Sequence, residues 1–168
     1  MACKKTHTGR TKLAYWAIGD CTDSPLSTAD PALTFKPLGG IQSITVNRNT
    51  RTTTSTNEAT TYTETSVLGR DFDISVSCLN WSDEALISSQ DELADLIDAA
   101  EEAGETPVIW FMEVDEAKDK RTYFFVTPSN PTDSSEIEGN RTREFQFMSQ
   151  PTYDAANPTK QTEAGTGL

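Results

Sequence analysis

The run Asp71-Phe72-Asp73-Ile74-Ser75-Val76-Ser77-Cys78 decides the fold class. Polar and apolar side chains alternate through it without exception, and a period of two belongs to a β-strand with one wet face. Phe72, Ile74, Val76 and Cys78 take the core side; Asp71, Asp73, Ser75 and Ser77 take the water side. A second alternating run, Arg143-Glu144-Phe145-Gln146-Phe147-Met148, puts Glu144 and Gln146 on a wet face in the same way.

Between these runs the pattern changes twice. Ser89-Gln90-Asp91-Glu92 fits a capping box, and Leu93, Leu96, Ile97 and Ala100 then recur on one helical face. Gly104 is a natural stop, which predicts a helix over residues 89–103, with a short turn ahead of it at 82–87. Residues 82–105 carry nine acidic side chains and no basic one. Glu101 and Glu102 sit at the end where the helix dipole disfavours them. Next, Val108-Ile109-Trp110-Phe111-Met112-Glu113-Val114 is almost continuously apolar, as in a strand covered on both faces, between the sheet and the helix. A polar turn at 115–120 returns through Thr122-Tyr123-Phe124-Phe125-Val126-Thr127, and 128–139 reads as a long loop.

On the amino-terminal side, Leu13-Ala14-Tyr15-Trp16-Ala17-Ile18 is a short strand, and residues 22–37 suit a loop or an edge segment. Gly39-Gly40 turns into Ile41-Gln42-Ser43-Ile44-Thr45-Val46. Residues 47–66 (NRNTRTTTSTNEATTYTETS) then hold eleven threonines or serines and almost nothing apolar. They read either as a flexible loop or as a long hairpin completed by another subunit. The organisation expected is an amino-terminal arm (1–12), a domain (13–150) and a carboxyl-terminal arm without periodicity (151–168). The fold class is mainly β: a β-sandwich or partly closed barrel with one flanking helix.

Composition narrows function. Leu, Ile, Val and Phe together make 31 of 168 residues, beside a net charge of −12. That combination raises disorder as a possibility, and the strand patterns confine it to the arms and residues 47–66. No run approaches the ~18 apolar residues of a membrane helix, so no membrane is expected. The polar leader does not read as a secretion signal. Cys3, Cys21 and Cys78 show no CxxC spacing and suit a reducing compartment, with Cys78 a small buried hydrophobe. An acidic chain repels phosphate, which argues against tight nucleic-acid binding.

No catalytic site emerges. The single histidine, His7, lies in the leader, and no Ser or Thr sits in a nucleophile elbow. No phosphate-binding glycine motif is present and no cofactor is expected. Asp71 with Asp73, and Glu136 with Glu138, read as solvated faces rather than metal sites. Trp16, Trp81 and Trp110 read as core packing rather than a sugar platform. Charge distribution says more: residues 1–51 hold seven basic and three acidic groups, a balance of +4, which leaves −16 for the rest. Unlike ends suit head-to-tail contacts, which build rings and filaments.

The order of these features resembles the tail tube (major tail) proteins of long-tailed bacteriophages. The parts that carry the resemblance are the polar leader, the strand into the Thr-rich segment after Val46, and DFDISVSC. After them come DELADLIDAAEEAG, VIWFMEV, TYFFVT and REFQFMSQP. The resemblance implies a structural virion subunit, not an enzyme, assembled in the bacterial host cytoplasm. Its partners would be itself, in homohexameric rings stacked head-to-tail, and other tail proteins at the tube ends. Inner sheets of six subunits would join into one barrel and leave no free edge. DNA would pass transiently through the lumen. Asp71, Asp73, Ser75 and Ser77 are the candidate lumen-facing residues, with Glu144 and Gln146 as a second candidate set. Arg48, Arg51, Thr54, Glu58, Tyr62 and Glu64 are the candidate inter-ring contacts. The alternative from another class is a soluble carbohydrate- or receptor-binding β-sandwich, which calls for an exposed tryptophan cluster.

Overall fold

The chain runs through β1 (Lys12–Ile18), β2 (Lys36–Pro37), β3 (Ile41–Thr56) and β4 (Thr63–Leu79) into one helix, α1 (Glu84–Ala103). It continues through β5 (Ile109–Asp115), β6 (Lys120–Pro128), β7 (Thr132–Ser134), β8 (Thr142–Ser149) and β9 (Lys160–Ala164). This computed structural model describes residues 12–56, 63–79, 84–134, 141–150 and 158–164.

Every strand pairing is antiparallel, in the order β2-β1-β5-β6-β8-β4-β3. The path does not close on itself, so the architecture is a sandwich rather than a barrel. β6 joins the two layers. Residues 120–124 pair with β9 beside β5, whereas residues 126–128 pair with β8. One layer is then β2-β1-β5-β6-β9, and the other is β8-β4-β3 with β7 beside β8.

The alternation of β4 and β8 does what the sequence implies. Phe72, Ile74, Val76, Cys78, Phe145 and Phe147 are buried and meet Ala14, Trp16, Ile109, Phe111, Phe124 and Val126 from the facing layer. Burying each such large apolar side chain contributes about 1.5–3 kcal/mol. The other face of the β1-β5-β6 layer is covered as well. Trp110, Met112, Val114, Tyr123 and Phe125 pack under Leu26, Leu33 and Phe35 of the loop after β1. β5 is thus apolar on both sides because both sides are covered, as its continuous run predicts, but the second cover is this loop and not the helix, whose Leu93 and Ile97 join the core between the layers.

The helix begins earlier than the capping box suggests, at Glu84 rather than after Ser89, and absorbs the expected turn at 82–87. Ser89 does not cap it. Ser89 is buried inside the helix and its hydroxyl accepts a hydrogen bond from Trp16 Nε1 at 3.0 Å. A serine that satisfies a buried indole mimics a cap in sequence. The helical face itself is as expected, with Leu93 and Ile97 in the core and Leu96 against it. Gly104 has φ of 70° and closes the helix in a Schellman arrangement, Gly104 N to Glu101 O at 3.0 Å and Glu105 N to Ala100 O at 2.8 Å.

Two further elements depart from expectation. The loop after β6 contains β7, whose three residues pair with β8. The carboxyl-terminal stretch contains β9, which lies along β6 from Lys120↔Ala164 to Phe124↔Lys160. Neither has an apolar period; β7 is fully exposed, and β9 is anchored by polar side chains. Glu163 accepts bonds from the Tyr123 hydroxyl and from Ser27, which ties β9, β6 and the covering loop together.

Candidate lumen and assembly surfaces

Register brings the six candidate lumen residues onto a single face. In β4 and β8, Ser75 lies opposite Gln146, Ser77 opposite Glu144, and Asp73 opposite Met148. Directly opposed residues in an antiparallel pair point the same way, so Asp71, Asp73, Ser75, Ser77, Glu144 and Gln146 share the outer face of this layer. What the sequence offers as two candidate sets is one surface. β3 extends it: Ser43, Thr45, Asn47 and Asn49 stand opposite Ser77, Ser75, Asp73 and Asp71.

Short polar bonds hold this face. Ser75 Oγ donates to Glu144 Oε1 at 2.8 Å, across β4 and β8. Asn49 Nδ2 donates to Asp73 Oδ2 at 2.6 Å, and Arg51 grips Asp71 in a fork, Nε to Oδ2 at 2.7 Å and Nη2 to Oδ1 at 2.9 Å. Side chains fixed to one another in this way present acceptors to water without long mobile cations. Met148, 53% exposed, is the one large apolar side chain described on this face.

The inter-ring candidates separate. Residues 47–66 are not a loop along most of their length: β3 and β4 pair from Asn47↔Asp73 out to Thr56↔Thr63. Of the two readings open in sequence, the described part is the hairpin. Thr54 lies opposite Thr65, and Glu64 opposite Ser55, on its outer part. Glu58 and Tyr62 lie outside the described residues. Arg51 is engaged within its own hairpin, by Asp71. Arg48 lies opposite Phe72, on the sandwich side of β3, and lines a groove between the two layers.

Other groups settle as structural. Trp16 and Trp110 are 1% and 0% exposed; Trp81, with His7, Cys3, Glu136 and Glu138, lies outside the described residues. Burial pushes the Cys78 thiol up to about 12, so it stays protonated as a core group. Arg143 joins α1 to the β8 layer, Nε to Asp133 at 2.7 Å and Nη1 to Asp91 at 2.6 Å. Those bonds, Asp133 first, raise the guanidinium further above its ordinary value. Among the described residues, no group of three or more His, Cys, Asp or Glu is arranged to hold a metal ion. No described helix is long and apolar enough to cross a membrane.

The wet faces of β4 and β8 follow from alternation, but Arg48 and Asn49 lie in a segment without an apolar period. Their signal is the hairpin register, which a single chain's composition does not encode.

No family model and no curated protein matches the chain. Solved structures do. The chain is similar to the tail tube of SPP1 with a TM-score of 0.60, at 12% identity over 95% of this chain and 80% of that one. It is similar to the tail of an empty gene transfer agent particle, solved with C6 symmetry, with a TM-score of 0.54. There the identity is 15%, over 85% of this chain and 93% of that one. The tube-terminating cap of the anti-feeding prophage matches with a TM-score of 0.52, at 10% identity over 98% and 95% of the two chains. The chain therefore has the fold of phage and gene transfer agent tail tube proteins, the family that its order of elements resembles.

Proposed function

We propose that this protein is the structural subunit of a bacteriophage tail tube, assembled as hexameric rings stacked head-to-tail around a lumen that passes DNA. The observation that carries the reading is the polar face of β4 and β8 on a sandwich of tail-tube fold. All its core-forming residues point the other way, so the face is left for water and for whatever moves past it. Carboxylates and hydroxyls locked to one another repel phosphate and hold a water layer. Lysine and arginine contacts, which release counterions and make DNA stick, are what such a passage must avoid. Arg51, the cation of this face, is neutralised by Asp71. A structural role without catalysis accords with the solved neighbours, which are tail and tube components. The protein would act in the virion, after assembly in the host cytoplasm, with other tail proteins at the tube ends.

The hairpin of β3 and β4 supplies an inter-ring arm in this reading. It runs eight residues past Arg48 to Thr56, which is about 26 Å at ~3.3 Å per residue. The alternative of a sugar-binding sandwich loses its main support, because Trp16 and Trp110 are core residues.

Negative-stain electron microscopy of the purified protein tests the proposal. Six-fold rings or hollow tubes are expected at high concentration; compact single particles at every concentration and salt would contradict it.

A further inference from the structure

We infer that the groove at the hairpin end of the sandwich receives the acidic stripe of α1 from a second copy of this chain. The inference rests on the head-to-tail assembly proposed above and assigns its two mating surfaces.

The groove is a basic feature on an acidic protein. Lys12, Arg48, Lys118, Lys120 and Lys160 surround a floor that includes Val46 and Phe124. Two carboxylates also line it, and each has a lysine: Glu113 pairs with Lys12, and Asp115 with Lys118 at 3.8 Å. The lining thus holds five cations and two carboxylates. Lys160 lies over the rings of Phe72 and Phe124, at 5.4 and 5.9 Å from their centroids. Arg48 is exposed and, like Lys120, has no carboxylate among the described residues.

The partner surface is at the opposite end. In the β1-β5-β6 layer, Lys12, Asp115 and Lys120 are opposed at the groove end, and Ile18, Ile109 and Val126 near the other. α1 belongs to that other end, where Gln90 bonds to Gly39 O and Asp91 to Arg143. Its solvent side presents Asp95, Asp98 and Glu102, spaced three and four apart, with Glu105 just past the helix end, all exposed. A helical stripe has that spacing. No carboxylate of this stripe has an ion-pair partner among the described residues. The last helical turn has no basic residue, so Glu102 and Glu105 face the negative end of the helix dipole uncompensated. A cationic groove is the surface that relieves this, and the molecule carries one at its far end. Two unlike surfaces at opposite ends make a heterologous contact, which repeats instead of closing on itself as a pair. A single exposed ion pair contributes little, but a contact repeated around each ring and along the tube multiplies it.

Charge reversal tests the pairing. The groove variant is Arg48→Glu with Lys120→Glu, the helix variant is Asp98→Lys with Glu102→Lys, and the fourfold variant combines them. All four positions are exposed, and melting curves check that each protein folds. Each twofold variant alone is expected to need a concentration higher by about tenfold or more to assemble, read by sedimentation. The fourfold variant restores assembly, and an equimolar mixture of the two twofold variants co-assembles. Raising salt from about 0.05 M to about 1 M weakens the wild-type contact, because screening shortens to ~3 Å. Folded twofold variants that assemble like wild type, or a folded fourfold variant that is not rescued, overturn the pairing and leave the tube reading intact. Wild-type protein that stays monomeric at every salt overturns both.

Discussion

The two layers of the sandwich differ in how many of their faces are covered. The β1-β5-β6 layer has the helix-bearing core on one side and the loop bearing Leu26, Leu33 and Phe35 on the other. Its central strand is apolar at nearly every position: β5 has Ile109, Trp110, Phe111, Met112 and Val114 all buried. The β8-β4-β3 layer is covered once, and its strands alternate. The doubly covered layer has its chemistry used up in folding. The singly covered one keeps a whole face, Asp71 through Ser77 with Glu144 and Gln146, that stability does not need. Function is best sought on the face that the core leaves over.

That contrast predicts a graded response to substitution. The largest effect belongs to the doubly covered layer: Phe111→Ala removes a ring packed against Phe124 and Phe147 and is expected to cost about 3–5 kcal/mol in urea unfolding. A loss under about 1 kcal/mol would mean that this strand is not the structural centre. Arg143→Ala comes next. It frees Asp91 and Asp133 and leaves α1 without its link to β8, with a loss of about 1.5–3 kcal/mol expected in the same assay.

On the singly covered face the expectation inverts. Ser77→Ala and Gln146→Ala change stability by within about 0.5 kcal/mol. Replacing both Asp73 and Ser75 by Lys leaves a folded protein but slows DNA passage through reconstituted tails, because cations now meet phosphate in the lumen. Unchanged ejection from such tails would remove this face from the passage. Trimming the hairpin by replacing residues 53–66 with an Asn-Gly turn preserves the melting behaviour of the domain and abolishes stacking, since β3 and β4 remain paired below it.

At neutral pH the smallest effect is chemical. Cys78 resists thiol reagents in the folded protein near pH 8, and its labelling follows global unfolding. Its folded value near 12 stands above the ordinary 9.0, so the folded state holds the proton more tightly. The corresponding stability is full below pH 9 and is lost as pH rises from 9 toward 12.

The same contrast explains what was readable in the chain. Alternation exposed β4 and β8, and a continuous apolar run exposed β5, because coverage dictates those patterns. The helix face was readable at Leu93 and Ile97, yet its start was not, since Ser89 serves Trp16 and only imitates a cap. β7 and β9 escaped because they are held by backbone pairing and by groups such as Glu163 rather than by an apolar period. Alternation also places the six candidate lumen residues on wet faces, and register joins those faces into one. The pairing of Arg51, an inter-ring candidate, with Asp71 is not legible in sequence, because only the register across the hairpin puts the two side by side. The basic groove was hidden for a related reason: its lysines come from β1, the β5–β6 turn and β9, and only folding gathers them.

The central claim is that the singly covered face lines a tube. Cryo-electron microscopy of tubes grown from the purified protein tests it most directly. The account predicts six-fold rings with β3, β4 and β8 nearest the axis and Asp73, Ser75 and Gln146 pointing into the channel. Tubes in which this face lies on the outer wall, with the layer bearing Leu33 and Phe35 toward the axis, would contradict it.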